Sequence, residues 1–325
     1  MSRLLGVSLV AVVDSVEAVR VRAAQELNAA AEFATVEEAL AHSDFDAVCI
    51  ATPTHTHHPL VLAAARAGKH IFCEKPMAVA EDEALQMMEA IERAGVIFQI
   101  GFMRRFDEEF VHAKELISSG ALGHLMAVRA TTRGPGLPPP WAWDDAKSGG
   151  LLAEVNSHDF DAVRWLTGRE FARVFTLVAT RKAVEVLPQH PTFYDVAVVA
   201  FALDDGTPGS IDGAWPVDYG YDARMEVLGA DGMLTIGAVG AGSLVHTTRD
   251  GRVARRTFGS WRDRHREGYL AEVLHFVECV REGKIPVVTA IDGLRALEVA
   301  TAAARSARTG QPEPVPRALA PARGS

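Results

Sequence analysis

The chain reads as an α/β protein: a doubly wound parallel sheet followed by a second, α+β domain built on a largely antiparallel sheet. Over the first hundred positions short apolar runs alternate with helical patterns of about 10–15 residues, the rhythm of strand–helix–strand units. After Gly101 the texture changes to alternating segments separated by Asp/Gly turns, which suits hairpins. The length, 325 residues, is enough for two domains with ordinary cores.

The elements follow in order. Val7–Val13 is an apolar, β-branched strand ending at Asp14, and helical patterns follow at Glu17–Leu27 and from Val36. Ala47–Ala51 is a buried strand stopping at Thr52-Pro53. Pro59–Ala67 is a helix closed by Gly68, and Ile71–Cys73 is a strand. Glu81–Ala94 is a helix with Gly95 behind it, and Val96–Gly101 closes the first unit. The dinucleotide-type domain is therefore set at residues 1–103 and the second domain at 104–311. In the second domain a helix over Glu108–Ser118 leads to a strand at Leu125–Thr132, and a further helix is predicted from about Leu151 to Leu166. Strands follow at Val174–Thr180, Asp195–Leu203, Gly209–Trp215, Ala223–Leu228 and Met233–Ile236, with turns at Asp204-Asp205-Gly206 and Ala230-Asp231-Gly232. Helices near Tyr269–Arg281 and Ile291–Arg308 close the domain, and the Pro/Ala/Arg tail over 312–325 is expected to be disordered.

Composition narrows the function classes. A net charge of −9 without a basic run argues against nucleic acid or an anionic membrane as partner. No stretch approaches the ~20 apolar residues that span a bilayer. The segment Leu4–Val13 imitates a short signal peptide, but it ends in Asp14 without a nearby cleavage site, so a cytoplasmic protein is expected. Cys49, Cys73 and Cys279 lie far apart and read as buried free thiols.

Two constellations carry chemistry. In His70-Ile71-Phe72-Cys73-Glu74-Lys75-Pro76 an apolar strand ends in Glu-Lys-Pro. The carboxyl end of a strand in an open α/β sheet is where ligands bind, and a lysine there can stabilise a developing alkoxide. The competing reading is a surface ion pair at a strand end. In the second domain Glu154 and His158 are four residues apart and Asp161 three further, one stripe on a continuous helix. A histidine flanked by carboxylates keeps a near-neutral proton affinity, as general acid/base work needs. A solvated polar face is the alternative. Neither this set nor His55, His57 and His58 has structural-zinc spacing, so no metal is assigned.

Taken in order, these residues form a resemblance. Ala51-Thr52-Pro53-Thr54-His55-Thr56-His57, Ala67-Gly68-Lys69-His70 and Cys73-Glu74-Lys75-Pro76 resemble the nucleotide-binding half of the Gfo/Idh/MocA oxidoreductases. Gly149-Gly150 with Glu154 and His158-Asp159-Phe160-Asp161 is similar to that family's substrate-domain signature. Within the family, Gly101–Asp107 and Tyr219-Gly220-Tyr221-Asp222 look most like inositol 2-dehydrogenases. The resemblance implies a Rossmann-like sheet and an NAD-dependent dehydrogenase acting on a secondary hydroxyl of a cyclic polyol or sugar. Lys75 would stabilise the alkoxide, His158 would act as base, and Glu154, where the family usually has aspartate, would orient His158. Arg105, Asp161 and Tyr221 would hold the polyol. Thr52, Pro53, His57 and Glu74 would lie against the cofactor, and Asp14 would accept hydrogen bonds from its ribose, favouring NAD over NADP. Assembly as a homo-oligomer, a dimer or tetramer, is implied as well. A glycoside or amino-sugar substrate stays open.

One part of the pattern is missing. No G-x-G-x-x-G occurs near the N-terminus, and the first strand and glycine-rich turn of the family are absent from the sequence. In the order 3-2-1-4-5-6 that strand is central, so its neighbours should lose a partner. A truncated sequence is favoured over a real short form; a cofactor-free polyol-binding or regulatory protein is the alternative function.

Overall fold

The computed structural model describes residues 6–317. The first half comprises strand β1 (Ala11–Val13), helix α1 (Glu17–Leu27), β2 (Ala31–Phe33), α2 (Val36–His42), β3 (Ala47–Ile50), α3 (His57–Arg66), β4 (His70–Glu74), α4 (Glu81–Ala94) and β5 (Phe98–Gly101). Local chemistry sets many of these boundaries. Thr35 and Glu38 form a capping box at the start of α2, and Gly95, at φ 64°, closes α4 in the left-handed conformation.

The parallel sheet is split. Among the described residues β1 pairs only with β2, and β3, β4 and β5 form a separate parallel patch in that order. The division falls between β1 and β3, the position of the first strand in the 3-2-1-4-5-6 order. A crevice of about 470 Å³ occupies it, lined by residues that include Val10, Val13, Val48, Cys49, Leu60 and Phe276. The split has local consequences. The strand expected over Val7–Val13 is ordered as β only at Ala11–Val13. Helix α1 buries no residue, and Val16, Val19 and Leu27 stay exposed. Cys49, expected to be buried, is exposed because it faces the crevice; Cys73 and Cys279 are buried.

The second half runs α5 (Glu108–Ser118), β6 (Leu125–Pro135), α6 (Asp145–Ser148), α7 (Gly150–Glu154), α8 (Ser157–Thr167), β7 (Phe171–Ala179), β8 (Val196–Leu203), β9 (Pro208–Val217), β10 (Asp222–Gly229) and β11 (Met233–Ile236). The hairpin of β12 (Gly240–Thr247) and β13 (Val253–Thr257) stands apart from the main sheet. Helices α9 (Trp261–Arg264), α10 (Arg266–Glu282) and α11 (Ala290–Thr309) and strand β14 (Glu313–Pro314) complete the described chain. The sheet order is β11-β10-β6-β9-β8-β7-β14, and only β6 and β9 pair in parallel. Both expected turns join antiparallel neighbours, β8 to β9 and β10 to β11.

Two expectations are corrected. The disordered tail does not begin at residue 312: Glu313 and Pro314 pair with Val174 and Arg173, and the Val315 N–H reaches the Ala172 carbonyl. An edge strand with open backbone groups accepts such an extension. Residues 318–325 of that expected tail lie outside the described residues. The single helix expected from Leu151 to Leu166 is broken between α7 and α8. Val155 and Asn156 form a turn there, the Glu154 carbonyl accepts from the Lys75 ammonium, and the Asn156 side-chain amide donates to Asp159 at 2.9 Å.

Helix α11 ties the halves together. Its Leu294 and Leu297 pack into the core beneath the parallel strands, while Val299, Ala300, Ala302 and Ala303 pack into the core of the larger sheet. Two apolar clusters on one rigid helix hold the halves in fixed relation around the junction where β4 ends.

Candidate active site

β4 delivers Lys75 to the junction. Its Nζ donates to the Glu154 backbone carbonyl at 2.7 Å and lies 3.7 Å from the Glu154 carboxylate. The other carboxylate oxygen of Glu154 accepts from the Thr54 hydroxyl at 2.6 Å. Thr54 comes from the single turn after β3, so the carboxyl ends of two parallel strands meet the end of α7. Burial raises the Glu154 pKa, and Lys75 and Thr54 pull it back toward the charged form.

His158 sits one turn into the site from the other side, at 7% exposure, edge-on to Phe102 with ring centroids 6.1 Å apart. Its Nδ1 has no hydrogen-bond partner. Burial, reinforced by the positive charges of Lys75 and Arg104, holds its pKa well below 6.5. This overturns the expected carboxylate support. Glu154 is committed to Lys75 and Thr54, because the break after α7 separates it from the stripe that carries His158. Asp159 is committed to Arg104, Thr132 and Asn156. Burial and the nearby positive charges therefore favour the uncharged imidazole.

Three expected substrate ligands are engaged with other side chains. Arg105 makes a two-pronged bond to Asp161, at 2.9 and 2.6 Å, and its Nη2 also reaches Asp292 at 2.7 Å. Arg105 is 9% exposed and Asp161 1%, and the pair joins the turn after β5 to α8 and α11. Burial raises the Asp161 pKa, against the pull of Arg105. Tyr221 is buried, edge-on to His265 and beside Arg104, in the wall behind His158. Close packing of three elements consumed these groups; the residue types alone do not distinguish a ligand from a strut.

The cofactor-side residues divide similarly. Asp14 is half-buried at the end of β1, with Oδ1 accepting from the Val16 N–H at 2.8 Å. Thr52 is exposed, and Pro53 and Glu74 are partly buried. Burial raises the Glu74 pKa. His57 is the exception: at 1% exposure its ring bridges the Pro76 and Thr52 carbonyls, each at 2.8 Å. It laces the two strand-end loops together. Sequence reasoning missed Thr54 and Arg104 as site members. Thr54 lies in the motif already noted, but its partner is 100 positions away.

A doubly wound parallel unit, a mixed α+β sheet and a lysine and histidine meeting at their junction define a two-domain, dinucleotide-dependent oxidoreductase. The chain belongs to the Gfo/Idh/MocA oxidoreductase family. Residues 2–102 match the family's NAD-binding Rossmann-fold model and residues 114–316 its C-terminal alpha/beta domain. It is 35% identical over 309 residues to scyllo-inositol 2-dehydrogenase (NAD(+)) of Bacillus subtilis, covering 94% of this chain and 88% of that one. Myo-inositol 2-dehydrogenase of Thermotoga maritima is 35% identical over 269 residues, 83% of this chain and 79% of the relative. Among solved structures, myo-inositol 2-dehydrogenase from Lactobacillus plantarum superposes with a TM-score of 0.90 at 28% identity, over 97% of this chain and 93% of that one. Scyllo-inositol dehydrogenase from Lactobacillus casei with bound NAD(H) and scyllo-inositol gives 0.88 at 27% identity, over 96% and 93%.

The residues present fit a dinucleotide at two places. Asp14 offers an acid at a strand end, and the exposed Thr52 and the Lys75 ammonium stand at the carboxyl ends of β3 and β4, beside the unpartnered His158 ring.

Proposed function

We propose that this chain is an NAD-dependent dehydrogenase that oxidises a secondary hydroxyl of an inositol-like cyclic polyol, or reduces the matching ketone. The observation that carries the reading is the meeting of Lys75 with Glu154 beside a neutral, unpartnered His158. An ammonium has three donors. In Lys75 one is spent on the Glu154 carbonyl and a second points toward its carboxylate, which leaves donor capacity for a substrate oxygen. That contact is strongest when the oxygen bears alkoxide charge. His158 takes the hydroxyl proton as the C–H bond of the same carbon breaks. Bound NAD supplies the hydride acceptor. Glu154, fixed by Thr54, holds the ammonium in place.

The inositol-like substrate is supported by relatives bearing inositol dehydrogenase names along almost the whole chain. Homo-oligomerisation is supported by an exposed apolar pair, Leu177 opposite Val198, at 61% and 44% exposure on the larger sheet. A cytoplasmic location is supported by three cysteines without disulfides. Among the described residues no helix is long and apolar enough to cross a membrane. The split parallel sheet favours a second reading, a polyol-binding protein without turnover. Titration with NADH, followed by nicotinamide fluorescence, separates them. Saturable binding with turnover of myo- or scyllo-inositol supports the enzyme, and no binding by a folded sample overturns it.

A further inference from the structure

His158 needs an orienting partner that the carboxylates do not supply. A neutral imidazole accepts a proton at one nitrogen only if the other nitrogen carries the ring's own hydrogen. Nδ1 is the nitrogen enclosed by protein, so a ring that takes the substrate's proton uses Nε2 and keeps its hydrogen on Nδ1. A buried N–H without an acceptor is unfavourable, and a change of tautomer relieves it.

A second buried histidine stands behind the first. His265, between α9 and α10, is 1% exposed, and its Nδ1 lies 2.9 Å from the Asp107 carboxylate. Asp107 also accepts from Arg264 at 3.1 Å and from the Glu109 N–H at 3.2 Å. Burial works against the Asp107 charge, but His265 and Arg264 outweigh it and hold the carboxyl below the usual carboxylate range. Asp107 therefore takes the Nδ1 hydrogen of His265 and leaves the lone pair on Nε2. That nitrogen is buried and has no partner among the described residues. One ring thus presents an unmatched donor and the other an unmatched acceptor.

The turn after β5 holds both rings. Phe102 meets His158 edge-on at 6.1 Å, and Asp107, at the end of the same turn, holds His265. Between them Arg104 spends Nη1 on Asp159 and Nη2 on Thr132, at 2.6 Å each, while its Nε has no partner. Tyr221 closes the far side, edge-on to His265 at 5.9 Å. His265 and Arg104 both act on the charge of His158, in keeping with that arrangement. Two buried donors and one buried acceptor suit a single enclosed water, which accepts from the His158 Nδ1–H and the Arg104 Nε–H and donates to His265 Nε2.

We propose that His265 is a positioning residue for the base: through one enclosed water it fixes His158 in the tautomer that leaves Nε2 free, and Asp107 fixes His265 in turn. The pair takes the part that the sequence assigned to Glu154. The inference rests on the dehydrogenase reading for the use of Nε2, but the tautomer is measurable without turnover.

The test is nitrogen-15 NMR of the full chain with labelled histidine, His158→Ala and His265→Phe identifying the two rings. The expected result near neutral pH is an uncharged His158 and an uncharged His265, each with its hydrogen on Nδ1. This first arm needs no variant to fold. His265→Phe, close in size, moves the His158 hydrogen to Nε2 and lowers kcat for inositol oxidation about tenfold, with KM changed less than about twofold. His265→Gln, whose amide oxygen accepts from the same water, recovers the tautomer and most of the rate. A His158 hydrogen on Nε2 in the unaltered protein overturns the proposal. So does a His158 signal indifferent to His265→Phe, because a loss of rate then reports packing alone. Failure to bind NADH overturns the dehydrogenase reading instead, and the tautomer measurement still decides this inference by itself.

Discussion

The Lys75 ammonium lies 2.7 Å from the backbone carbonyl of Glu154 and 3.7 Å from its carboxylate, so a strand end of one sheet grips the end of a helix from the other half. Both side chains are mostly buried. Replacing Lys75 by Met removes the donor to the reacting oxygen, and kcat/KM is expected to fall by about 10²–10³-fold. It also leaves Glu154 without its cation, lowering stability by about 1–3 kcal/mol. Adding Glu154→Gln recovers part of the stability and none of the turnover. Steady-state rates and thermal melts of the three variants read both effects.

Thr54 is expected to act as a positioning residue. Thr54→Val strips the 2.6 Å hydrogen bond from Glu154 and frees the carboxylate to move. Turnover falls about tenfold with KM little changed, and Thr54→Ser restores it. A rise in KM at constant kcat contradicts the assignment.

The pH profile follows from His158, whose pKa burial holds well below 6.5. The neutral form, which accepts the proton, persists on acidification, so kcat/KM for oxidation stays level as pH falls through 6.5. An acidic limb centred there contradicts the environment described. Stability has its own sign. For a histidine depressed in the fold the unfolded chain binds the extra proton, so stability falls as pH drops below the unfolded value of 6.5. His57 and His265, lowered in the same direction, add to the slope.

Arg105 distinguishes a strut from a ligand. Arg105→Met leaves Asp161 and Asp292 without their hydrogen-bonded cation, with only Arg164 at 3.9 Å from each, and a loss of about 3–5 kcal/mol is expected. A polyol-binding role instead raises KM with the melting temperature unchanged.

Glu272, on α10, is buried, and among the described residues neither carboxylate oxygen has a partner. Glu272→Gln is expected to stabilise the protein, by about 1 kcal/mol near neutrality. Burial raises the Glu272 pKa well above 4.5, so folded-state stability is full below that value and declines as pH rises through the raised one. The advantage of the variant therefore grows from pH 5 to pH 8. Paired melts across that range check the slope.

Local chemistry was legible in the residues themselves. Gly95 behind Glu81–Ala94 marks the end of α4, and Asp204-Asp205-Gly206 marks the turn between β8 and β9. Lys75 was legible as a strand-end lysine because a buried strand must stop where charge begins. The Glu154/His158/Asp161 stripe misled because its spacing presumes an unbroken helix. The helix gives way to a turn at Val155 and Asn156, where the Glu154 carbonyl accepts from Lys75, 79 positions away.

The sequence by itself determined the fold class, the order of elements and the presence of a lysine and a histidine suited to proton and hydride chemistry. Those follow from periodicity, turn residues and motif order, which are short-range properties of the chain. Only the tertiary structure decided which polar groups are free. Arg105 and Asp161 are spent on each other, His57 on two carbonyls, and Glu154 on Lys75 and Thr54, while His158 and Glu272 are left unpartnered. The reason is physical: a hydrogen bond across 79 or 100 positions depends on where two domains pack, and no local pattern encodes that distance.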